Sequence, residues 1–324
     1  MMPNTAIIAD IGGTNARFAL VDHQGCHDVL YLECKQFPDP VAAAEAYLKE
    51  VGAFTHPKRP TVGLFAVAGP VMSDWVHFTN LSWNFSISEV GQTLKLAHFD
   101  VINDFKAVAL AIPGIKPELA HRIGGNAPLE HYPKGIIGPG TGLGVAALFW
   151  GETRYLANAC EGSHVTMPFI NAREFAIYEQ LRSKYNHISA ERVCSGIGLE
   201  DLYHTIRMID GKEQTTPTLS AQQISEKALN NSCLLCKEAL DLFLAFLGRI
   251  AGNLALTLNA WGGTYIAGGI PTKLGNYFLT SQFLSEFQTK GRMSEHVKQM
   301  PVFLIQHEAL GMLGLEQEVQ YLLK

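Results

Sequence analysis

An α/β chain folded as two related lobes is what this sequence predicts, on three grounds. The first is a strand–turn–strand unit at residues 7–22, whose β-branched and small apolar residues flank the pair Gly12-Gly13. The second is a repeat of that plan at residues 135–150, where a glycine-rich turn containing Thr141 again separates two apolar runs. The third is length, since 324 residues exceed the usual size of one hydrophobic core. Two half-folds facing each other across a cleft follow, residues 1–113 with 304–324 forming a small domain and residues 114–303 a large one.

The first glycine turn is the leading candidate for chemistry. Consecutive glycines allow positive φ and bring N–H groups close to a ligand, and a concave array of N–H dipoles favours an anion such as a phosphate. Asp10 ends the first strand and faces the same space. A carboxylate beside a phosphate calls for a cation between them, which predicts Mg²⁺ held by Asp10 through water. A hairpin whose glycines serve turn geometry alone fits the same residues. Two other phosphate motifs are excluded. No Gly-x-x-x-x-Gly-Lys followed by Ser or Thr occurs here, and the turn leads into the apolar run 16–21 instead of the helix that a dinucleotide fingerprint needs.

Composition narrows the class. A hydrophobic fraction of 47% and a charged fraction of 17% describe a chain with ample core, not a disordered one. A formal net charge of -5 gives no electrostatic reason to expect nucleic acid or an anionic membrane as partner. The N-terminus lacks the basic region of a signal peptide, and no stretch approaches the ~20 apolar residues that span a bilayer, so a cytoplasmic protein is expected. Six scattered cysteines suit reduced thiols. Cys233 and Cys236 form the one close pair; set in an apolar helical pattern and lacking a second ligand pair, they read as core packing before zinc or redox chemistry.

Along the chain, residues 41–51 form an alanine-rich helix closed by Gly52, and residues 61–70 a buried strand closed by Gly69-Pro70. Residues 71–83, around Thr79-Asn80-Leu81-Ser82-Trp83, read as a loop or edge hairpin. A short strand at 99–102 delivers Asn103-Asp104 to a helix over 105–112, which Pro113-Gly114 ends. Helices follow over 172–185, 199–209 and 221–229. Residues 234–258 form a long apolar helix without a clean polar face, predicted to be buried, with Gly248 and Gly252 allowing close helix contacts or a kink. Residues 263–270 form a strand ending in Gly268-Gly269. A last strand at 301–305 and a last helix at 308–323 are expected to cross back together to the first lobe.

Three strand-ending glycine turns agree with one another. With Asp10-Ile11-Gly12-Gly13-Thr14-Asn15-Ala16-Arg17, Ile102-Asn103-Asp104-Phe105, Gly138-Pro139-Gly140-Thr141-Gly142-Leu143-Gly144, Glu161-Gly162-Ser163-His164, Ser189-Ala190-Glu191-Arg192-Val193 and Ala267-Gly268-Gly269-Ile270, the whole chain resembles the proteobacterial glucokinase family of hexokinase-like, actin-type sugar kinases. The resemblance implies a two-lobed ribonuclease-H-like fold with a duplicated mixed-sheet core and an interlobe cleft. It implies transfer of the ATP γ-phosphoryl group to the 6-hydroxyl of glucose, with Mg²⁺, in a homodimer. By position, Ala9, Asp10, Ile11, Gly12, Gly13 and Thr14 correspond to an ATP phosphate loop. Gly138, Gly140, Thr141 and Gly142 correspond to the opposing phosphate loop, and Gly268 and Gly269 to the adenosine-side turn. Asn103, Asp104, Glu161, His164 and Glu191 correspond to the sugar-binding set, with Asp104 as catalytic base. Three positions depart from the family pattern: Pro139 stands where a small residue is usual, Ser163 where glycine is common, and Cys160 precedes the Glu161 motif.

The residue types suit that chemistry. Sugar hydroxyls are donors as well as acceptors, carboxylates are strong oriented acceptors, and phosphoryl transfer to a hydroxyl needs an acceptor for its proton. Read by themselves, Asn103-Asp104 is a helix N-cap, Glu161 and His164 a polar turn, and Glu191 an exposed helical charge. Zinc at His164 is disfavoured, because no second histidine or spaced cysteine pair accompanies it. Rival functions are a kinase for fructose, mannose or an amino sugar, a non-catalytic sugar sensor, and an actin-like ATPase that assembles with itself. A sensor of this class should carry a DNA-binding extension, whereas here the first strand begins within a few residues of Met1.

Overall fold

The computed structural model describes residues 5–55, 57–78, 81–307 and 309–323; Thr79 and Asn80 of the expected loop and Glu308 at the expected start of the last helix lie outside them. The chain forms two compact units, Met1–Ile115 with Ala309–Lys324, and Lys116–Glu308.

In the first unit β1 (Ala6–Ile11), β2 (Asn15–Asp22) and β3 (Gly25–Glu33) form an antiparallel meander. Asp39 then caps α1 (Pro40–Glu50) by accepting the Ala42 N–H, with Pro40 at the first helical position where its missing N–H costs nothing. β4 (Val62–Val67) follows and lies parallel to β1. The expected edge hairpin is β5 (Trp75–His77) with β6 (Asn84–Ser86). α2 (Ile87–Thr93) leads to β7 (His98–Asn103), parallel to β4, and β7 runs directly into α3 (Asp104–Ala111). The sheet order is β3-β2-β1-β4-β7. The alternation of β1 divides its residues between two cores. Ile7, Ala9 and Ile11 pack with Phe18, Tyr47 and Phe65, while Ala6 and Ile8 pack on the other face.

The second unit begins with β8 (Ala120–Gly124), followed by the meander β9 (Lys134–Pro139), β10 (Leu143–Trp150) and β11 (Tyr155–Cys160). Four helices come next: α4 (Ala172–Arg182), α5 (Gly196–Ile209), α6 (Ala221–Leu229) and α7 (Leu234–Leu258). β12 (Thr264–Ile266) lies parallel to β9, the short helices α8 (Gly269–Leu274), α9 (Asn276–Thr280), α10 (Phe283–Gln288) and α11 (Ser294–Val297) follow, and β13 (Val302–Ile305) lies parallel to β12. The order is β11-β10-β9-β12-β13-β8. Its first five strands repeat the order and directions of the first sheet, and β8 adds an antiparallel edge. α12 (Leu310–Leu322) then belongs to the first unit, where Met312, Leu315 and Val319 cover the face of β1 that carries Ala6 and Ile8.

By length and composition alone α7 could cross a bilayer, contrary to the expectation that no stretch would. It serves instead as the core helix of its unit, with Leu240, Phe243, Phe246 and Leu247 fully buried. Gly248 and Gly252 give the close contact expected of them, lying against the α10 backbone at Phe283 and Phe287. One buried ion pair is built onto α7: Arg249 donates to both oxygens of Glu174 at 2.7 and 2.8 Å and to Glu286 at 2.7 Å.

The last strand corrects an expectation. β13 does not return to the first unit with the final helix, because it is hydrogen-bonded on both sides, to β12 and β8, within the second sheet. Removing it would leave two rows of backbone groups unpaired, so the chain returns only at Ala309.

Candidate active site

In the first unit the β1–β2 turn is closed by the Gly12 N–H donating to the Asn15 carbonyl at 3.0 Å, which commits that donor to the turn itself. Gly13, Thr14 and Asn15 are exposed at its tip. None of Gly12, Gly13, Gly140 and Gly142 takes positive φ, so the left-handed conformation that paired glycines allow is not used at these turns. Asp10 stands one residue before the end of β1, directly across the ladder from Arg17. Burial raises its pKa and the Arg17 charge opposes that rise. The first turn of α12 comes up against the same carboxylate at Gly311. Arg17 belongs to the first glycine motif, and the sequence alone assigns it no role. Its guanidinium lies 4.5 Å from the Tyr31 ring centre, and its Nε is buried with no hydrogen-bond partner among the described residues. Antiparallel pairing of the hairpin could have flagged it, since register alone sets residue 17 opposite residue 10.

Asn103 and Asp104 sit where β7 becomes α3. Asn103 is the helix N-cap: Oδ1 accepts the N–H groups of Phe105 and Lys106 at 2.9 and 3.0 Å, and Nδ2 donates to the Gly69 carbonyl at 3.1 Å. That leaves the neighbouring Asp104 carboxylate fixed at the first position of the helix, with Oδ1 accepting the Phe105 N–H at 2.8 Å. Burial is the main cause that pushes the Asp104 pKa up to about 6; the Asp10 charge adds to it, and the hydrogen bonds from Phe105 and Asn103 hold it back. A helix N-terminus normally favours the charged carboxylate, so desolvation outweighs the helix here.

In the second unit the β9–β10 turn is tied down on both sides. The Gly140 N–H donates to Gly142, the Gly140 carbonyl accepts the Gly196 N–H at the start of α5, and the Leu143 N–H donates to Glu191 Oε2 at 2.9 Å. Glu191 is therefore no free helical charge, since its carboxylate braces the second glycine turn. Its backbone N–H donates to the Ser163 carbonyl at 3.0 Å, which joins it to the short turn carrying Glu161 and His164. Those two side chains are exposed, with Oε2 and Nε2 3.7 Å apart. The fold thus brings Gly140, Gly142, Glu161, His164 and Glu191 into one cluster of the second unit, while Asp10, Asn103 and Asp104 share the first. Ser163, one of the departures, is buried and supplies the carbonyl that holds Glu191.

The third glycine turn links β12 to α8. Gly268 has φ +91°, and a Cβ there would lie 2.4 Å from the Pro139 carbonyl oxygen, so conformation and space both demand glycine. Gly269 has neither constraint, with nothing within 4 Å of a Cβ. Gly268→Ala should accordingly cost about 1–3 kcal/mol in backbone strain alone, and Gly269→Ala should stay within roughly 0.5 kcal/mol of the parent. Urea unfolding of the two variants checks this, and equal midpoints would remove the special status of Gly268.

Comparison with known proteins places this chain. The glucokinase family profile matches residues 7–321. A glucokinase of Neisseria gonorrhoeae is 42% identical over 311 residues, covering 95% of this chain and 92% of that one. A glucokinase of Klebsiella pneumoniae is 41% identical over 315 residues, covering 97% and 96%. Among solved structures, a glucokinase from an Antarctic psychrotroph superposes with a TM-score of 0.86 at 33% identity, covering 98% of this chain and 99% of its own. With the match running from β1 through α12 at this identity, the chain belongs to the glucokinase family.

Proposed function

We propose that the protein is an ATP-dependent glucokinase, transferring the γ-phosphoryl group of ATP to the 6-hydroxyl of glucose and giving glucose 6-phosphate and ADP, with Asp104 as general base. The observation that carries the role of Asp104 is its carboxylate, anchored at the first turn of α3 and pushed up to about 6. A base with a pKa just below the working pH is ionised and still basic enough to take a hydroxyl proton. As the 6-hydroxyl oxygen attacks the γ-phosphorus, its proton passes to Asp104. Backbone N–H groups of the turns at 9–14 and 138–142 meet the charge on the phosphates, and Arg17, whose buried Nε has no partner among the described residues, stands across the ladder from Asp10.

Asp10 fits a hard divalent cation: it is a carboxylate whose pKa burial raises, and its charge is felt at the neighbouring Asp104. Asp10 would hold Mg²⁺ through water, and the bound ion would neutralise phosphate charge. Asn103, Glu161, His164 and Glu191 are assigned to the sugar hydroxyls, Asn103 through the one amide hydrogen left free of its cap and Glu191 through the oxygen turned away from Leu143. Gly268 and Gly269 are assigned to the adenosine side.

This reading treats the two units as the small and large domains of a duplicated ribonuclease-H-like core. The repeated five-strand order supports the duplication. A cytoplasmic homodimer belongs to the same reading on the resemblance alone. The deciding experiment is ADP release from Mg²⁺-ATP with glucose, fructose, mannose, N-acetylglucosamine or no sugar. Stimulation by glucose above all others is the expected result. Stimulation by another hexose would keep the mechanism and move the specificity, and no stimulation by any sugar would overturn the kinase reading.

A further inference from the structure

Cys233 and Cys236 take no part in phosphoryl transfer, yet the fold arranges them for chemistry of their own. Cys233 is the N-cap of α7, in extended conformation at φ -147° and ψ 113°, and its Sγ accepts the Cys236 backbone N–H at 3.4 Å. A cap of this kind swings the side chain of the first residue over the turn that contains the fourth. Residues three apart at a helix start share one side of that turn, and the Cys233 sulfur already reaches the backbone of Cys236. Burial, with the neighbouring Cys233 adding to it, pushes the Cys236 thiol up to about 12.

Access differs between the two. Cys236 is fully buried in the core of the second unit, whereas Cys233 is half-buried and Leu234 beside it is 82% exposed. One sulfur therefore stands at the surface with the other directly behind it. The outer one sits at the N-terminus of a helix of 25 residues, at the open end of its first turn. The inner one, held as a thiol in apolar surroundings, can react with little except its neighbour.

We propose that Cys233 and Cys236 are a reversible oxidation site that closes to an intramolecular disulfide in the presence of a hydroperoxide. The Cys233 thiolate attacks one peroxide oxygen, the O–O bond breaks, and hydroxide leaves, giving a sulfenic acid on Cys233. The Cys236 sulfur then displaces the hydroxyl group, its proton leaving with it as water, and the S–S bond forms. Two thiols lose two electrons and two protons, and hydrogen peroxide is reduced to two waters. The Cys233 sulfur stays over the first turn throughout, so α7 keeps its cap and a small dithiol can reverse the bridge.

The test treats the full-length native protein with hydrogen peroxide and maps free and oxidised cysteines by alkylation and mass spectrometry. The expected result is loss of two hydrogen masses in the segment carrying both residues, reversed by dithiothreitol, at least about ten-fold faster than oxidation of any other cysteine. Cys236→Ala, which keeps the buried position apolar, should stop at a sulfenic acid on Cys233 that dimedone traps. Cys233→Ser should leave Cys236 as an unreactive thiol. The proposal is overturned if both residues stay alkylatable in the native protein while other cysteines oxidise, if Cys236 oxidises equally fast in Cys233→Ser, or if Cys233 pairs with a different cysteine.

Discussion

Asp104→Asn lowers kcat by about 10²–10⁴-fold and at the same time makes the protein more stable at neutral pH. Both effects come from one carboxylate. Asparagine keeps an oxygen to accept the Phe105 N–H and leaves the Asn103 cap untouched, so α3 still starts where it does. What disappears is the group proposed to take the proton. What also disappears is a buried charge whose folded-state pKa is about 6 against an ordinary value of 3.8. A carboxylate raised on folding costs stability fully above the folded value, and the cost fades as pH falls through about 6 and is gone near 3.8. The variant should therefore melt several degrees above the parent at about pH 7.5, on the order of 1–3 kcal/mol, and the difference should shrink toward zero near pH 4. The pH profile separates base from bystander. In the parent, kcat/KM should fall ten-fold per unit below about pH 6, the range set by Asp104; the residual activity of the variant should lack that limb. Near-parental turnover with an unchanged acid limb would take Asp104 out of the base role.

Most of the scaffold was legible because its strands are apolar and bounded by glycine. β1, β2, β4, β7, β9, β10, β12 and β13 all lie where alternation or a buried run puts them. β3 and β11 escaped notice for the opposite reason. As edge strands of their sheets they need no continuous apolar face, and segments such as Gly25-Cys26-His27-Asp28 carry no strand signal. The destination of β13 was misread because a four-residue strand says nothing about its partners, and only pairing on both sides reveals that it stays in the second sheet. Within the site, the cap role of Asn103 could be read from a polar pair between a strand and a helix, and the structure shows that cap fixing its neighbour. The bond from Leu143 to Glu191 spans 48 residues and has no local signature, so Glu191 looked like an ordinary surface charge. The three glycine turns lie at strand ends as the sequence places them, but positive φ is not what they share: only Gly268 among them uses it.

The helix that carries Asp104 is held at a distance set by another glycine, and that contact yields the largest effect expected from a residue outside the proposed site. Gly314 on α12 faces α3 so closely that a Cβ there would lie 1.8 Å from the Ala107 carbonyl oxygen and 2.9 Å from the Ala111 nitrogen. Both are backbone atoms of one rigid helix, so no rotamer change relieves the overlap. Gly314→Ala must push the two helices apart, and everything rigidly attached to α3 moves with it, Asp104 first. Overpacking of this kind costs about 1–3 kcal/mol or more. A displacement of about 1 Å at a catalytic group costs on the order of 10²-fold in rate. The expected outcome is a soluble protein with a lower melting temperature and a kcat reduced by more than about ten-fold, while reaction of the Cys233 thiol in the second unit is unchanged. That last readout shows that the loss comes from the helix pair of the first unit and not from general unfolding. Parental melting and turnover in Gly314→Ala would mean that α3 tolerates displacement without consequence for Asp104, and the view that α12 positions the base would fall.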